Sequence, residues 1–238
     1  MKKDFKYQLY KHIIPNICII IMLCLVGGAT LNFNSVNVFT KKDIEAIYNG
    51  NKDSSYVSLM INVYWGTEYL DSILETLNTY NVKCTFFVGG QWAEKEQEYL
   101  QKIYDSGHEI GNHGYFHKDQ DKLNYDGNYT EINSNHKLIK TLLNIDMNLF
   151  APPSGAYNNS TLQVASDLGY KTIMWSKDTI DWRDKDVDLI YSRATKNVCG
   201  GDLILMHPTE CTAKALPKIL DYYLANNLTA TTVTQTLG

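Results

Sequence analysis

The chain has 238 residues, with 22 Lys and Arg against 26 Asp and Glu and a formal net charge of −4. A hydrophobic share of 44% and a charged share of 20% are globular values for one domain of ordinary to large size. They exclude a disordered chain and the clustered basic face of a nucleic-acid binder, so no nucleic-acid partner is expected.

In chain order, Lys2, Lys3, Lys6 and Lys11 come first. They flank an apolar run from Ile13 to Leu31 that only Pro15 and Asn16 interrupt. A basic flank before an apolar span of this length predicts a membrane helix, lysines cytoplasmic and the rest outside. Residues 1–31 are thus a signal anchor of a single-pass protein at the cell membrane. Gly27-Gly28-Ala29 offers a weak cleavage site, with secretion after cleavage as the alternative. Residues 32–54 are polar and read as a tether, which leaves 55–238 as the outward domain.

Within that domain apolar runs alternate with helical patterns. Strands are expected at 56–63, 84–88, 108–112, 149–151, 171–175 and 202–206, with a closing strand at 230–233. Helices are expected at 68–80, 93–105, 128–143, 161–168, 186–197 and 213–226; in the first, Leu70, Ile73, Leu74 and Leu77 recur at helical spacing. Such alternation defines an α/β fold with parallel βα repeats, and about seven strands favour a barrel or partial barrel. Chemistry in these barrels gathers where strands end at their C-terminal side. Asn62, His113, Pro153, Asp178, Asp181 and His207 fall there. Cys84, Cys199 and Cys211 are odd in number and widely spaced, so they form no disulfide framework and no cysteine zinc motif.

His113 and His117 stand four positions apart behind Gly107-His108-Glu109-Ile110-Gly111-Asn112. Two imidazoles at this spacing converge on one ion if the chain turns helically after His113. Taken alone, the pair reads equally well as two ordinary loop histidines.

Five stretches in order resemble the polysaccharide deacetylase family of carbohydrate esterases. They are Tyr80-Asn81-Val82-Lys83-Cys84-Thr85-Phe86-Phe87-Val88-Gly89, the His113/His117 stretch, Phe150-Ala151-Pro152-Pro153-Ser154-Gly155-Ala156-Tyr157-Asn158, Trp175-Ser176-Lys177-Asp178-Thr179-Ile180-Asp181-Trp182, and Leu203-Ile204-Leu205-Met206-His207. The resemblance implies a distorted (β/α) barrel. It implies removal of acetyl groups from N-acetylglucosamine polymers such as peptidoglycan, with cell-wall glycan as the partner. It also implies zinc, or another divalent metal, held by one Asp and two His. The metal would activate a water, a carboxylate would take its proton, and a histidine would protonate the leaving amine. Residue by residue, His113 and His117 match the metal histidines, His207 the general acid and Asp181 the carboxylate that orients it. Trp182, Tyr157, Pro153 and Trp65 match or flank the sugar groove, whereas Trp175 reads as core.

The chain departs from the pattern in two linked places. Asn62 aligns with the catalytic base, and an amide cannot take a proton near neutral pH. Neither Val63 nor Tyr64 supplies the metal carboxylate, and the groove arginine that pairs with the base is Ala151. Two readings follow. One is a deacetylase in which Glu68 or Asp178 compensates. The other is an impaired homologue that binds cell-wall glycan or serves in envelope assembly.

Overall fold

The computed structural model describes residues 6–32 and 44–238. They form two units, divided between Asp43 and Ile44. In the first, a π-helical turn (Leu9–Ile13) leads into helix α1 (Ile14–Asn32). Its side chains from Ile14 to Cys24 are exposed, among them Ile17, Ile19, Ile20, Met22 and Leu23. Among the described residues this is one helix long and apolar enough to cross a membrane.

The second unit begins at Ile44, inside the stretch read as a tether; residues 33–43 of that stretch lie outside the described residues. Residues 44–51 are tied to the sheet. Ile47 bridges Ile173 and Asn49 bridges Asp202, with Ile47 N–H donating to Thr172 O at 2.8 Å and Gly50 N–H to Gly201 O at 2.7 Å. The apolar Ile44, Ala46, Ile47 and Tyr48 stand between polar stretches that masked them, and Ile47 also packs on the inner core.

The strands are β1 (Tyr56–Val63), β2 (Thr85–Val88), β3 (Glu109–Asn112), β4 (Leu149–Phe150), β5 (Lys171–Thr172), β6 (Lys177–Asp178), β7 (Leu203–Met206) and β8 (Thr229–Thr231). They run in the order β5-β4-β3-β2-β1-β7-β6, and β8 pairs with the start of β1; all named pairs are parallel. Helices α2 (Leu70–Thr79), α3 (Gly90–Lys95), α4 (Gln97–Asp105), α5 (Tyr125–Leu143), α6 (Asn159–Asp167), α7 (Val187–Thr195), α8 (Glu210–Ala225) and α9 (Val233–Leu237) fill the connections and the C-terminus. This is a curled, open (β/α) barrel. Where one helix was expected over 93–105 there are two, broken at Glu96, whose backbone leaves helical geometry (φ −111°, ψ 46°). The strand expected over 171–175 stops at Thr172, and Asp178 sits on its own short strand beside β7.

Strand alternation sorts the core into two. Val57, Leu59, Ile61 and Val63 face the helices, and Met60 faces the barrel interior with Phe87, Leu149, Ala151, Ile173, Leu203 and Val233. Gly111 belongs to that inner face: a Cβ there would meet the Phe87 ring at 2.4 Å. The same parity carries Asn62, His113, Ala151 and His207 to the inner side of the strand ends.

His108 immediately precedes β3, buried at 5% exposure, with Cys84 N–H donating to its Nδ1 at 3.3 Å. Burial pushes its pKa down to about 4. The unfolded chain takes a proton below about 6.5 and the folded chain does not, so this contribution is complete above pH 6.5 and is lost as pH falls toward 4. At pH 5 it removes about 2 kcal/mol of stability. Urea unfolding at pH 7 and pH 5 checks this: His108→Gln should show a smaller drop between the two than the parent.

Candidate functional site

A cavity of about 390 Å³ opens at the C-terminal strand ends, lined by Asn62, Tyr64, His113, His117, Ser154, Trp175, Asp178, Trp182, Leu205 and His207. Six of the residues singled out in the sequence for chemistry therefore meet: Asn62, His113, His117, Asp178, Trp182 and His207.

The turn after β3 sets the histidine pair. It is a loop, so the condition of a helical turn after His113 is not met; Gly114 (φ +72°) and His117 (φ +55°) are both left-handed. A left-handed histidine is uncommon and persists only when its surroundings hold it. Glu131 on α5 does so: its buried carboxylate accepts from Tyr115 N–H at 3.2 Å and Phe116 N–H at 2.8 Å. Below lies a buried amide network in which Asn112 Oδ1 accepts from Gly114 N–H and Asn135 Nδ2, while Asn135 also donates to Val88 O. The rings of His113 and His117 come to 5.0 Å between centroids. His113 Nδ1 lies 2.8 Å from Ala151 O, so it carries the proton and leaves Nε2 as an acceptor. Burial, then the neighbouring His117, hold His113 well below the usual imidazole range, and burial takes His117 to about 4. Both are neutral at physiological pH.

On the far wall, His207 Nδ1 stands 2.8 Å from Asp181 Oδ1. Asp181 is buried and its Oδ2 accepts from His207 N–H at 2.6 Å and from Thr212 Oγ1 on α8. The adjacent Ile180 is left-handed (φ +54°), an outlier for a β-branched residue, and donates its N–H to Asp178 Oδ1 at 2.8 Å. Arg193 braces this turn, donating to Thr179 O at 2.9 Å. Asp178 is the one carboxylate in the cavity lining, and burial raises its pKa above the ordinary range. Asp181 lies behind His207 and borders a second cavity of about 660 Å³ with Trp65, Glu68, Trp182, Lys185 and Lys214. Glu68 is thus outside the first cavity, its Oε2 accepting from Thr67 N–H.

Three groove expectations change, for Tyr157, Pro153 and Trp65, and so does the core reading of Trp175. Tyr157 does not line the cavity; its hydroxyl bonds that of Tyr48 at 2.8 Å. Pro153 is buried, against the backbone of Gly114, and shapes the histidine loop. Trp175, read as core, lines the cavity, because the chain leaves the sheet at Thr172 and strand parity no longer sets its direction. Trp65 instead packs over His207, with centroids 5.3 Å apart.

A divalent ion of the expected kind needs a carboxylate beside the two imidazoles. Among the described residues no three His, Cys, Asp or Glu side chains come together as a metal site would require. The Tyr64 ring takes the space instead, stacked on His117 at 3.5 Å and 5.9 Å from His113. Burial raises the Tyr64 phenol, which keeps it neutral and a poor ligand. Val63 faces the helices and cannot contribute. The donor set does not fit a resident divalent cation. Sequence reasoning missed Glu131, Asn135 and Thr212, since their roles are set by packing across the fold and leave no local motif.

The fold and this rim define a carbohydrate-esterase class of domain. Residues 49–173 match the family model for polysaccharide deacetylase, and the chain belongs to that family. It is 36% identical over 191 residues to the uncharacterised protein YlxY of Bacillus subtilis, covering 80% of this chain and 60% of that protein. It is 30% identical over 178 residues to a peptidoglycan-N-acetylglucosamine deacetylase of Bacillus cereus, covering 73% of this chain and 65% of that enzyme. A solved structure of a family 4 carbohydrate esterase pseudoenzyme from Bacillus anthracis superposes with a TM-score of 0.81 at 33% identity, covering 84% of this chain and 71% of that one. The chain thus spans less than two thirds of the length of these two curated relatives.

Proposed function

We propose that the domain engages N-acetylated cell-wall glycan through this cavity and has lost the hydrolytic step, the impaired reading set out above. The observation that carries it is Asn62. A neutral amide stands where the base belongs, with Tyr64 against the histidine pair and Ala151 at the arginine position. These three changes support one another, since a buried arginine with no carboxylate opposite would be costly. The relatives' names, which include peptidoglycan deacetylases and a pseudoenzyme, support the glycan and the lapse respectively. In this reading His207 and Asp181 retain the acid's geometry as hydrogen-bonding groups for sugar. The deacetylase reading has one observation in its favour, Asp178, a half-buried carboxylate in the cavity wall.

The helix α1 then serves as a retained anchor that holds the domain at the outer face of the cell membrane, with Lys2, Lys3, Lys6 and Lys11 inside. Zinc is not required for binding. Trp182, 55% exposed on the rim, offers an aromatic face to sugar. Calorimetric titration with an N-acetylglucosamine oligomer tests the function. Trp182→Ala should weaken binding about fivefold, the ordinary cost of truncating a Trp contact. No binding by the parent would refute the glycan reading.

A further inference from the structure

We propose that the second cavity receives the peptide branch of cell-wall glycan, a short peptide with a free carboxylate that pairs with Lys185, so that the domain prefers peptide-bearing peptidoglycan to a plain sugar polymer. This rests on the glycan-binding function above and goes beyond it by assigning a second ligand site.

The two cavities share Tyr64 and Trp182 in their walls, so a branch on a sugar next to one held in the first cavity enters the second. The second is the larger, about 660 Å³ against about 390 Å³, a size for a short peptide segment. Its walls suit such a segment. Tyr69, Val187 and Pro208 offer apolar surface to small side chains. Glu68 spends one carboxylate oxygen on Thr67 N–H, which leaves the other for a peptide N–H.

The charges decide the ligand. Lys185 lines the cavity, exposed, and among the described residues it makes no ion pair. The carboxylates around it are committed elsewhere. Asp184 pairs with Arg183 and Arg193. Asp186 caps α7, accepting from Asp188 N–H at 2.9 Å and from Leu189 N–H at 3.1 Å. Glu210 pairs with Lys214 at 2.5 Å. Asp181 is buried and spent on His207 and Thr212. Among the described residues, one cation of this lining is thus left without a partner. A neutral sugar chain has no charge to answer it, and a peptide carboxylate does. Because Lys185 is exposed, the pair is worth a severalfold preference and not an all-or-none choice.

The test titrates the full chain in detergent, by calorimetry, with two ligands built on one tetrasaccharide of alternating N-acetylglucosamine and N-acetylmuramic acid. One ligand carries a tetrapeptide on each lactyl group; in the other the lactyl carboxylates are capped as methylamides. The expected result is about fivefold tighter binding of the peptide-bearing ligand, the upper range for an exposed ion pair. Lys185→Glu, at an exposed position, should cut that ratio to about twofold or less. Equal affinities, tighter binding of the capped ligand, or a ratio unchanged in Lys185→Glu would overturn the inference while leaving glycan binding intact. Failure of both ligands to bind would overturn the glycan reading and this inference with it.

Discussion

Asn62→Asp combined with Tyr64→Asp and Ala151→Arg is expected to release acetate from N-acetylglucosamine oligomers at least about 100-fold faster than the parent, the lower end of what a positioned base contributes. Each substitution answers one defect. The first restores a proton acceptor at the end of β1, on the inner face that strand parity already assigns it. The second removes the ring stacked on His117 and places a carboxylate beside both imidazoles. The third supplies a cation for the new carboxylate at position 62; without it, that buried charge would raise its own pKa and stay protonated. Asn62→Asp alone should therefore gain little. The rest of the rim is in place, because His207 and Asp181 already meet at 2.8 Å. An assay of acetate with zinc supplied, run on the three singles and the triple, checks the expectation. Equal activity in parent and triple variant would show that the defect lies elsewhere.

The second large effect concerns zinc. The parent offers two imidazoles with an aromatic ring against them, so its zinc affinity should be indistinguishable from that of His113→Ala. Tyr64→Asp should bind one zinc at least tenfold more tightly, about 1.4 kcal/mol, as a third donor replaces the ring. Competition with a chromogenic chelator measures this without reference to activity. One tight zinc in the parent, lost in His113→Ala, would contradict the geometry.

Much of the barrel was legible because its strands are apolar runs and its helices carry a clear period. The inner face was legible too: once β1 is a strand, Met60 and Asn62 share a side, and Val63 does not. What escaped was backbone. Residues 44–51 bind the sheet through main-chain groups, and their short apolar patch at Ile44 to Tyr48 is too brief to stand out between polar neighbours. The left-handed His117 and Ile180 are held by partners far along the chain, Glu131 and Arg193 among them. The same limit explains the groove aromatics. The resemblance put Tyr157 in the wall, and Trp175 read as core packing, but a hydroxyl pair with Tyr48 holds Tyr157 outside the cavity and the early end of β5 brings Trp175 into its lining. Tyr64 was seen only as a missing carboxylate; that its ring fills the gap required three dimensions.

The central claim is that this rim holds N-acetylated glycan without cutting it. The most direct measurement is acetate release from an N-acetylglucosamine tetramer by the zinc-supplemented full chain, at a ligand concentration where calorimetry shows the cavity occupied. The account predicts bound ligand and acetate no faster than in a protein-free blank. Sustained turnover by the parent, abolished by His207→Ala, would contradict it.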